Sequence, residues 1–565
     1  MAASATTAVL DAFFTAYYRR CPVSATFIGV HDYDDRLPDY SERALADAAA
    51  EREAIHRSLR ALPAEPLTQA EALDLTIVEG CLEIQAWEDG APHFYRGNPC
   101  VYTGEAIFGV VSLFLRPIAP LSQRVEAAIA RMRGIATLLA QGKTNVRRAP
   151  RAWVERAIRE CRGARAFFGS GVQILLRDEA IDDPRFAAAA EAAAKSFAEF
   201  EAHLEQNLAP GAGDGCACGE KALDLLLRRG HFLEADAGEV RAAAEERMAA
   251  CAAELDGQAA GFGARDWREA LALLADGHPP AHGYYARFAE VWAKARAAAE
   301  AAGLVTWPDF PIRFVPQPAW AGEAAPYLYF LAYRSPAPYD ASPVVEYLVP
   351  PVETTMPPEE QARRLRATND SVIKLNHVIH HGGLGHHVQN WYARRAASRT
   401  GQIAAVDCAS RIALFCGGTM AEGWACYATD LMEEIGFLTP LERYAQVHAR
   451  MRMAARALVD VDLHRGAITL EAAAAFYARR IGLSPEAARA EAVKNSMFPG
   501  AALMYMMGTD TLHRLRRDLA FGSTAFDLRR FHDGVLAHGS VPVALVAVAM
   551  RREHAGPASP KIRRQ

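Results

Sequence analysis

The sequence predicts a mainly α-helical chain with one small β-sheet, and three observations carry that prediction. Long stretches rich in Ala, Leu, Arg and Glu repeat their apolar residues at helical spacing. Runs of β-branched and aromatic residues bounded by proline and glycine are confined to residues 305–350. The 565 residues, 51% of them hydrophobic, are enough to bury one large core. Length alone would suggest roughly three or four domains. The unbroken helical pattern points instead to one integrated body: an N-terminal helical lobe (1–300), a small β-containing segment lining a cleft (301–370) and a C-terminal helical lobe (371–565).

Taken in order, residues 186–204, 240–257 and 287–302 show the helical spacing most plainly. Residues 311–316, 327–333 and 344–349 read as strands. Their place just before a histidine-rich helix suggests a cleft wall. An edge strand there can hold an extended peptide by main-chain pairing, or the sheet only packs between lobes. In residues 370–381, Val372, Ile373, Leu375, Val378 and Ile379 recur in helical order. A further helix runs from Leu441 and carries Arg456, Asp460 and His464.

Composition excludes some classes of partner. A net charge of -5 gives no electrostatic footprint for nucleic acid, and Arg551-Arg552 and Arg563-Arg564 read as solvated ends. The most apolar runs, 106–115 and 541–550, are too short to span a bilayer, so no membrane partner is expected. Residues 1–10 carry no basic segment before an apolar stretch, which makes the cytoplasm the expected location. Ten scattered cysteines read as reduced core thiols, and Cys216-Ala217-Cys218 is weak evidence for a soft-metal site. Ala-rich helical surfaces pack within or between chains, which leaves a homodimer open.

The informative segment is His377-Val378-Ile379-His380-His381-Gly382-Gly383-Leu384-Gly385-His386-His387, five of the eighteen histidines in eleven residues around a glycine-rich break. A lone histidine such as His31 or His203 is usually a core residue bonded to a carbonyl. Five together, with Glu422 downstream, form a candidate metal site, because imidazole suits zinc, iron and copper and a glutamate completes an open donor set. Two frames fit the spacing. His377 and His381 are i,i+4 on one helix face. His380 meets His386 or His387 only if the glycines end or kink the helix, since i,i+7 on a regular helix separates side chains by roughly 10 Å.

A resemblance chooses between the frames. The segment resembles a degenerate H-E-x-x-P-G-H-H motif of the bacterial DUF885 family, whose members are regarded as zinc-dependent hydrolases of helical, gluzincin-type peptidase architecture. Other blocks resemble the family along most of the chain: residues 22–29 and 34–41; Glu422-Gly423-Trp424-Ala425-Cys426-Tyr427; residues 456–460 with Leu463-His464; Phe498-Pro499-Gly500 with Tyr505 and Gly508; Phe531-His532-Asp533; and residues 538–542. The resemblance implies a helical body around a deep cleft. It puts His380 at the first ligand, His386 and His387 at the final pair, and Glu422 at the third ligand. It also exposes departures. His381 replaces the glutamate that acts as general base, Leu384 the proline, Thr429 a second glutamate and Ala501 a glutamine, while Lys494-Asn495 replace Arg-Tyr.

The resulting expectation is a metal-dependent hydrolase, with zinc first and iron or copper as alternatives, that cleaves an amide- or peptide-type bond in a small-molecule or peptide-like substrate. His380, Glu422 and His386 or His387 hold the ion. His381, which titrates near about pH 6.5 unperturbed, replaces the base. Tyr505 donates to a developing oxyanion, unless it is only a half-buried aromatic beside Met504, Met506 and Met507. His464 joins the site through Asp460, a carboxylate placed to orient a ligating imidazole. If His381 instead turns inward as a ligand, the His-rich site resembles those that hold iron, manganese or copper for redox or lyase chemistry, and hydrolysis is abandoned. A non-catalytic binding protein is the third reading.

Overall fold

Several helices start where the sequence supplies a capping side chain. In the computed structural model, which describes residues 4–63, 66–322, 337–340, 344–406, 417–521 and 526–555, the three plainest helical stretches lie at Pro184–His203, Ala237–Gln258 and Tyr284–Ala301. Each begins two or three residues before its apolar repeat. For the first two the reason is a capping side chain: Asp183 accepts from the Arg185 N–H, and Asp236 forms a capping box with Glu239. Thr439 and Glu442 make the same box at the start of Pro440–His464.

Helices from the first 300 residues pack directly on the last 200. Ala237–Gln258 lies along Pro440–His464, where the Tyr444 hydroxyl donates to the Leu255 carbonyl at 2.7 Å. Trp153, fully buried, donates from Nε1 to Ser496 Oγ at 2.9 Å. Near the N-terminus Arg131, 0% exposed, ties three segments together. Its guanidinium donates to the carbonyls of Arg36 at 2.9 Å, Gly109 at 2.7 Å and Pro22 at 3.3 Å. Main-chain oxygens thus satisfy a charge that burial penalises.

His31 makes a second cross-link. Nδ1 lies 2.8 Å from Asp34 and Nε2 2.8 Å from Asp340, so both ring nitrogens donate only in the imidazolium form. Hydrogen bonds from Asp34 and Asp340 raise its pKa to about 9. A raised folded pKa means the clasp stabilises fully below the unfolded value near about 6.5 and fades as pH rises through 9. The side chain is a third exposed, which holds the expected effect to about 1 kcal/mol. The urea midpoint of the wild type should fall between those pH values by more than that of His31→Leu. Identical slopes would remove the clasp from the account.

Two strands, β1 (Ile312–Pro316) and β2 (Val345–Val349), pair in parallel with Phe314 opposite Tyr347. Arg313 and Glu346 pair on the exposed face at 2.8 Å. On the inner face the Phe314 and Tyr347 rings pack on each other at 5.3 Å, and Tyr347 reaches the histidine segment, where its hydroxyl and His377 Nδ1 share a 2.6 Å hydrogen bond. The strand expected at 327–333 lies outside the described residues.

The histidine segment corrects one expectation. Only Asp370–Val372 is α-helical, and Ile373–Gly382 is a π-helix with i→i+5 bonding. It packs against Tyr284–Ala301 and Gly418–Glu434, and Lys374 ties it to Glu442 at 2.7 Å. No helix among the described residues is long and apolar enough to cross a membrane. The eight described cysteines are free. Burial pushes the thiols of Cys216 and Cys218 up to about 11 and about 12, which disfavours the thiolate a soft metal needs.

Candidate metal centre

The glycine break folds the chain back onto the end of the π-helix. At Gly385 a Cβ would stand 1.9 Å from the His380 carbonyl oxygen, so only glycine permits this approach. The Gly385 N–H donates to the Ile379 carbonyl at 2.9 Å, and a new α-helix, His386–Ala393, starts at once. Trp424 pins the loop from the far side by donating from Nε1 to the Leu384 carbonyl at 2.9 Å. The helix that carries this tryptophan, Gly418–Glu434, also delivers Glu422.

Three imidazoles converge as a result. Ring centroids lie 4.6 Å apart for His380 and His381, 4.9 Å for His380 and His386, and 5.3 Å for His381 and His386. One nitrogen from each falls within 4.8 Å of the other two. Glu422 Oε2 stands 3.1 Å from His380 Nε2 and 3.4 Å from His386 Nε2. His381 donates from Nδ1 to the Asn376 carbonyl at 2.7 Å, which fixes the tautomer whose lone pair is on Nε2.

Electrostatics favour a cation there. Burial pushes the Glu422 carboxyl up, but the His386 and His380 imidazoles outweigh it and hold the group well below the usual carboxylate range. Burial lowers His380 against the pull of Glu422, and burial with its two imidazole neighbours takes His381 well below an ordinary histidine. A neutral His380 and His381 beside an ionised Glu422 match protonation states that a divalent ion requires. The donor set therefore fits such an ion.

Not every expected residue joins. His387 turns away: Nε2 donates to the Phe310 carbonyl at 2.7 Å and the ring stacks on Phe310 at 5.0 Å. Neighbours on an α-helix point about 100° apart, so one of the His386-His387 pair faces the cluster and the other the core. His464 also lies apart, 0% exposed, bonded to the Asn495 carbonyl at 3.0 Å and packed on His93. Burial drives its pKa to about 3, the state of a core histidine. Asp460 orients no ligating imidazole. Its oxygens take the N–H groups of Gly500, Ala502 and Leu503 at 3.0, 2.9 and 3.0 Å, fixing the turn that leads into Met504–Ala520.

That turn places Tyr505, 8% exposed, with the Arg456 guanidinium 4.9 Å over its ring. Burial, helped by the charge of Glu422, raises the phenol well above its ordinary value, so Tyr505 stays protonated and can donate. Thr429 bonds back to the Cys426 carbonyl at 2.6 Å and offers the site nothing. Sequence reasoning missed the backbone contact of Gly423 with Gly508, across which a Cβ would sit 2.6 Å from main-chain atoms. Its signal was present in the E-G-W and Y-x-x-G glycines.

Among curated proteins no significant match is found. Solved structures do match. A protein from Shewanella oneidensis, described as a lipoprotein of unknown function, is 20% identical with a TM-score of 0.77, covering 97% of this chain and 100% of its own. One from Colwellia psychrerythraea, also described as a lipoprotein, is 16% identical with a TM-score of 0.76, covering 98% of this chain and 99% of its own. At such identity the likeness shows the mainly helical fold. The expected cytoplasmic location is contradicted by the descriptions of these two neighbours as lipoproteins. The family described as bacterial protein of unknown function (DUF885) matches residues 22–550, and the chain belongs to that family.

Proposed function

We propose that the chain is a metal-dependent enzyme that holds one divalent ion, zinc first, through His380, His381, His386 and Glu422, and hydrolyses an amide-type bond in a small or peptide-like substrate. The convergence of three imidazole nitrogens within 4.8 Å, closed by Glu422, supports this reading. When bound, the ion supplies a Lewis acid and a water whose pKa falls to about 7. His381 holds rather than abstracts, because Nδ1 is committed to Asn376 and burial makes the ring a poor base. Glu422 presents Oε2 to two imidazoles and, as the one carboxylate, completes the donor set. Tyr505 donates to the developing oxyanion.

The test is turnover of a peptide and N-acyl amide library by the zinc-loaded chain. Tyr505→Phe should lower kcat by about 100-fold or more with metal content unchanged, as expected for an oxyanion donor. No turnover by any zinc-loaded preparation would sink the hydrolytic reading. A second reading rests on the third imidazole, since a donor set this rich in nitrogen also suits iron, manganese or copper. Oxygen consumption by iron- or copper-loaded protein, without hydrolysis, would put redox chemistry in its place.

A further inference from the structure

Far along the chain from the metal ligands, the ends of two helices carry an exposed patch of arginine and apolar side chains. On Met504–Ala520, Arg514, Arg517 and Asp518 recur along one exposed face, and Phe521 follows at the cap. On Val543–Ala555, Val548, Arg551 and Arg552 form a matching stripe. The helices pack together, and Arg551 donates to Asp518 at 2.7 Å, which joins the stripes into one face.

Two features separate this face from an ordinary solvated helix end. Phe521 is 91% exposed, more than any other large hydrophobic residue among those described, and Val548 is 42% exposed. A benzyl group left in water forgoes the gain of burial, so its position at a tip asks for a partner. The charge is also one-sided. Asp518 answers Arg551, while Arg514, Arg517 and Arg552 have no acidic partner among the described residues. Glu553 is held aside by Gln69 at 2.9 Å. In sequence, Lys561, Arg563 and Arg564 follow with no acidic residue among them, a local excess of cations on a chain of net charge -5.

We propose that this face docks on an anionic lipid surface, with Phe521 entering the headgroup boundary and Arg514, Arg517 and Arg552 pairing with lipid phosphates. The planar guanidinium fork matches phosphate geometry, and its apolar stem can lie along the boundary while the charge stays in water. A headgroup layer takes a single protruding ring without a preformed pocket, which favours lipid over an acidic protein. Arg551-Arg552, a solvated end by sequence, becomes part of a contact that lies on the bilayer and spans nothing. Tyr505, at the other end of the same helix, stands roughly 24 Å from Phe521. Docking therefore leaves the metal centre clear, and it is independent of the chemistry there.

Sedimentation of the full chain with vesicles of phosphatidylcholine, alone or with roughly one-third phosphatidylglycerol, tests this. At low salt the wild type should bind the anionic vesicles about 100-fold more tightly than the neutral ones, as the unpaired arginines predict. Arg514→Glu with Arg517→Glu should remove that preference. Arg147→Glu with Arg148→Glu, the same change of charge at an exposed pair in a separate cleft, should keep it. Phe521→Ser should weaken binding to anionic vesicles by about fivefold or more. These positions are exposed, so urea midpoints should match the wild type. Equal binding to both vesicles, or binding to neither, overturns the proposal. So does an equal loss in the Arg147 and Arg148 variant, because net charge alone would then explain binding, and so does Phe521→Ser that binds like the wild type. Retention on immobilised poly-glutamate without vesicle binding would assign the face to an acidic protein instead.

Discussion

His386→Ala should lose the ion that the proposed centre holds, whereas His387→Ala should keep it and lose stability instead. The two residues are adjacent, and their environments separate them. His386 stands 3.4 Å from Glu422 with its ring 4.9 Å from that of His380. His387 is 0% exposed, stacked on Phe310 and bonded to its carbonyl. Removing a ligand should cost more metal affinity than the roughly 10–100-fold typical of an outer-shell partner. Removing His387 leaves the Phe310 carbonyl unpaired and opens a cavity, for an expected loss of about 2–4 kcal/mol. Metal content by mass spectrometry and urea midpoints should thus move in opposite variants. An ion retained by His386→Ala, or stripped from a folded His387→Ala, would break the assignment.

This pair also shows how far the sequence could be read. Cluster and family were legible because five histidines around three glycines, followed by E-G-W, rarely come together by chance. The choice within His386-His387 was not, since it depends on which direction a helix faces as it restarts after Gly385. The π-helix was hidden for a related reason: apolar residues at 372, 373, 375, 378 and 379 satisfy i+5 bonding as readily as i+4. That difference decides His381, whose Nδ1 reaches the carbonyl five residues back. Asp460 and His464, i,i+4 on one helix, looked like a ligand and its orienter. They lie 3.6 Å apart, but the partners that matter, the 500–503 turn and Asn495, come from distant sequence. The Ala-rich helices were legible throughout, and for two of them the earlier start follows from a cap, Asp183 or Asp236.

Gly423→Ala should be among the most damaging single-methyl changes in the chain, although alanine is the better helix former. The helices Gly418–Glu434 and Met504–Ala520 cross backbone to backbone. A Cβ on Gly423 would lie 2.6 Å from Gly508 Cα and C, and one on Gly508 would lie 2.1 Å from the Thr419 carbonyl oxygen. Neither obstacle can rotate away. The propensity gain of up to about 1 kcal/mol is outweighed by overpacking against main chain, expected at about 3 kcal/mol or more. The damage should also reach the metal centre: Glu422 precedes Gly423, Tyr505 lies three residues before Gly508, and relief of the clash separates the helices that carry them. Bound metal and the urea midpoint should therefore fall together, and Gly508→Ala should be at least as severe. Gly257→Ala supplies the contrast, because Gly257 is helical with nothing within 4 Å of its virtual Cβ. There the same methyl should stabilise by about 0.5–1 kcal/mol. If Gly423→Ala were as stable and as fully metallated as Gly257→Ala, the close crossing could not be what holds Glu422 against the imidazoles.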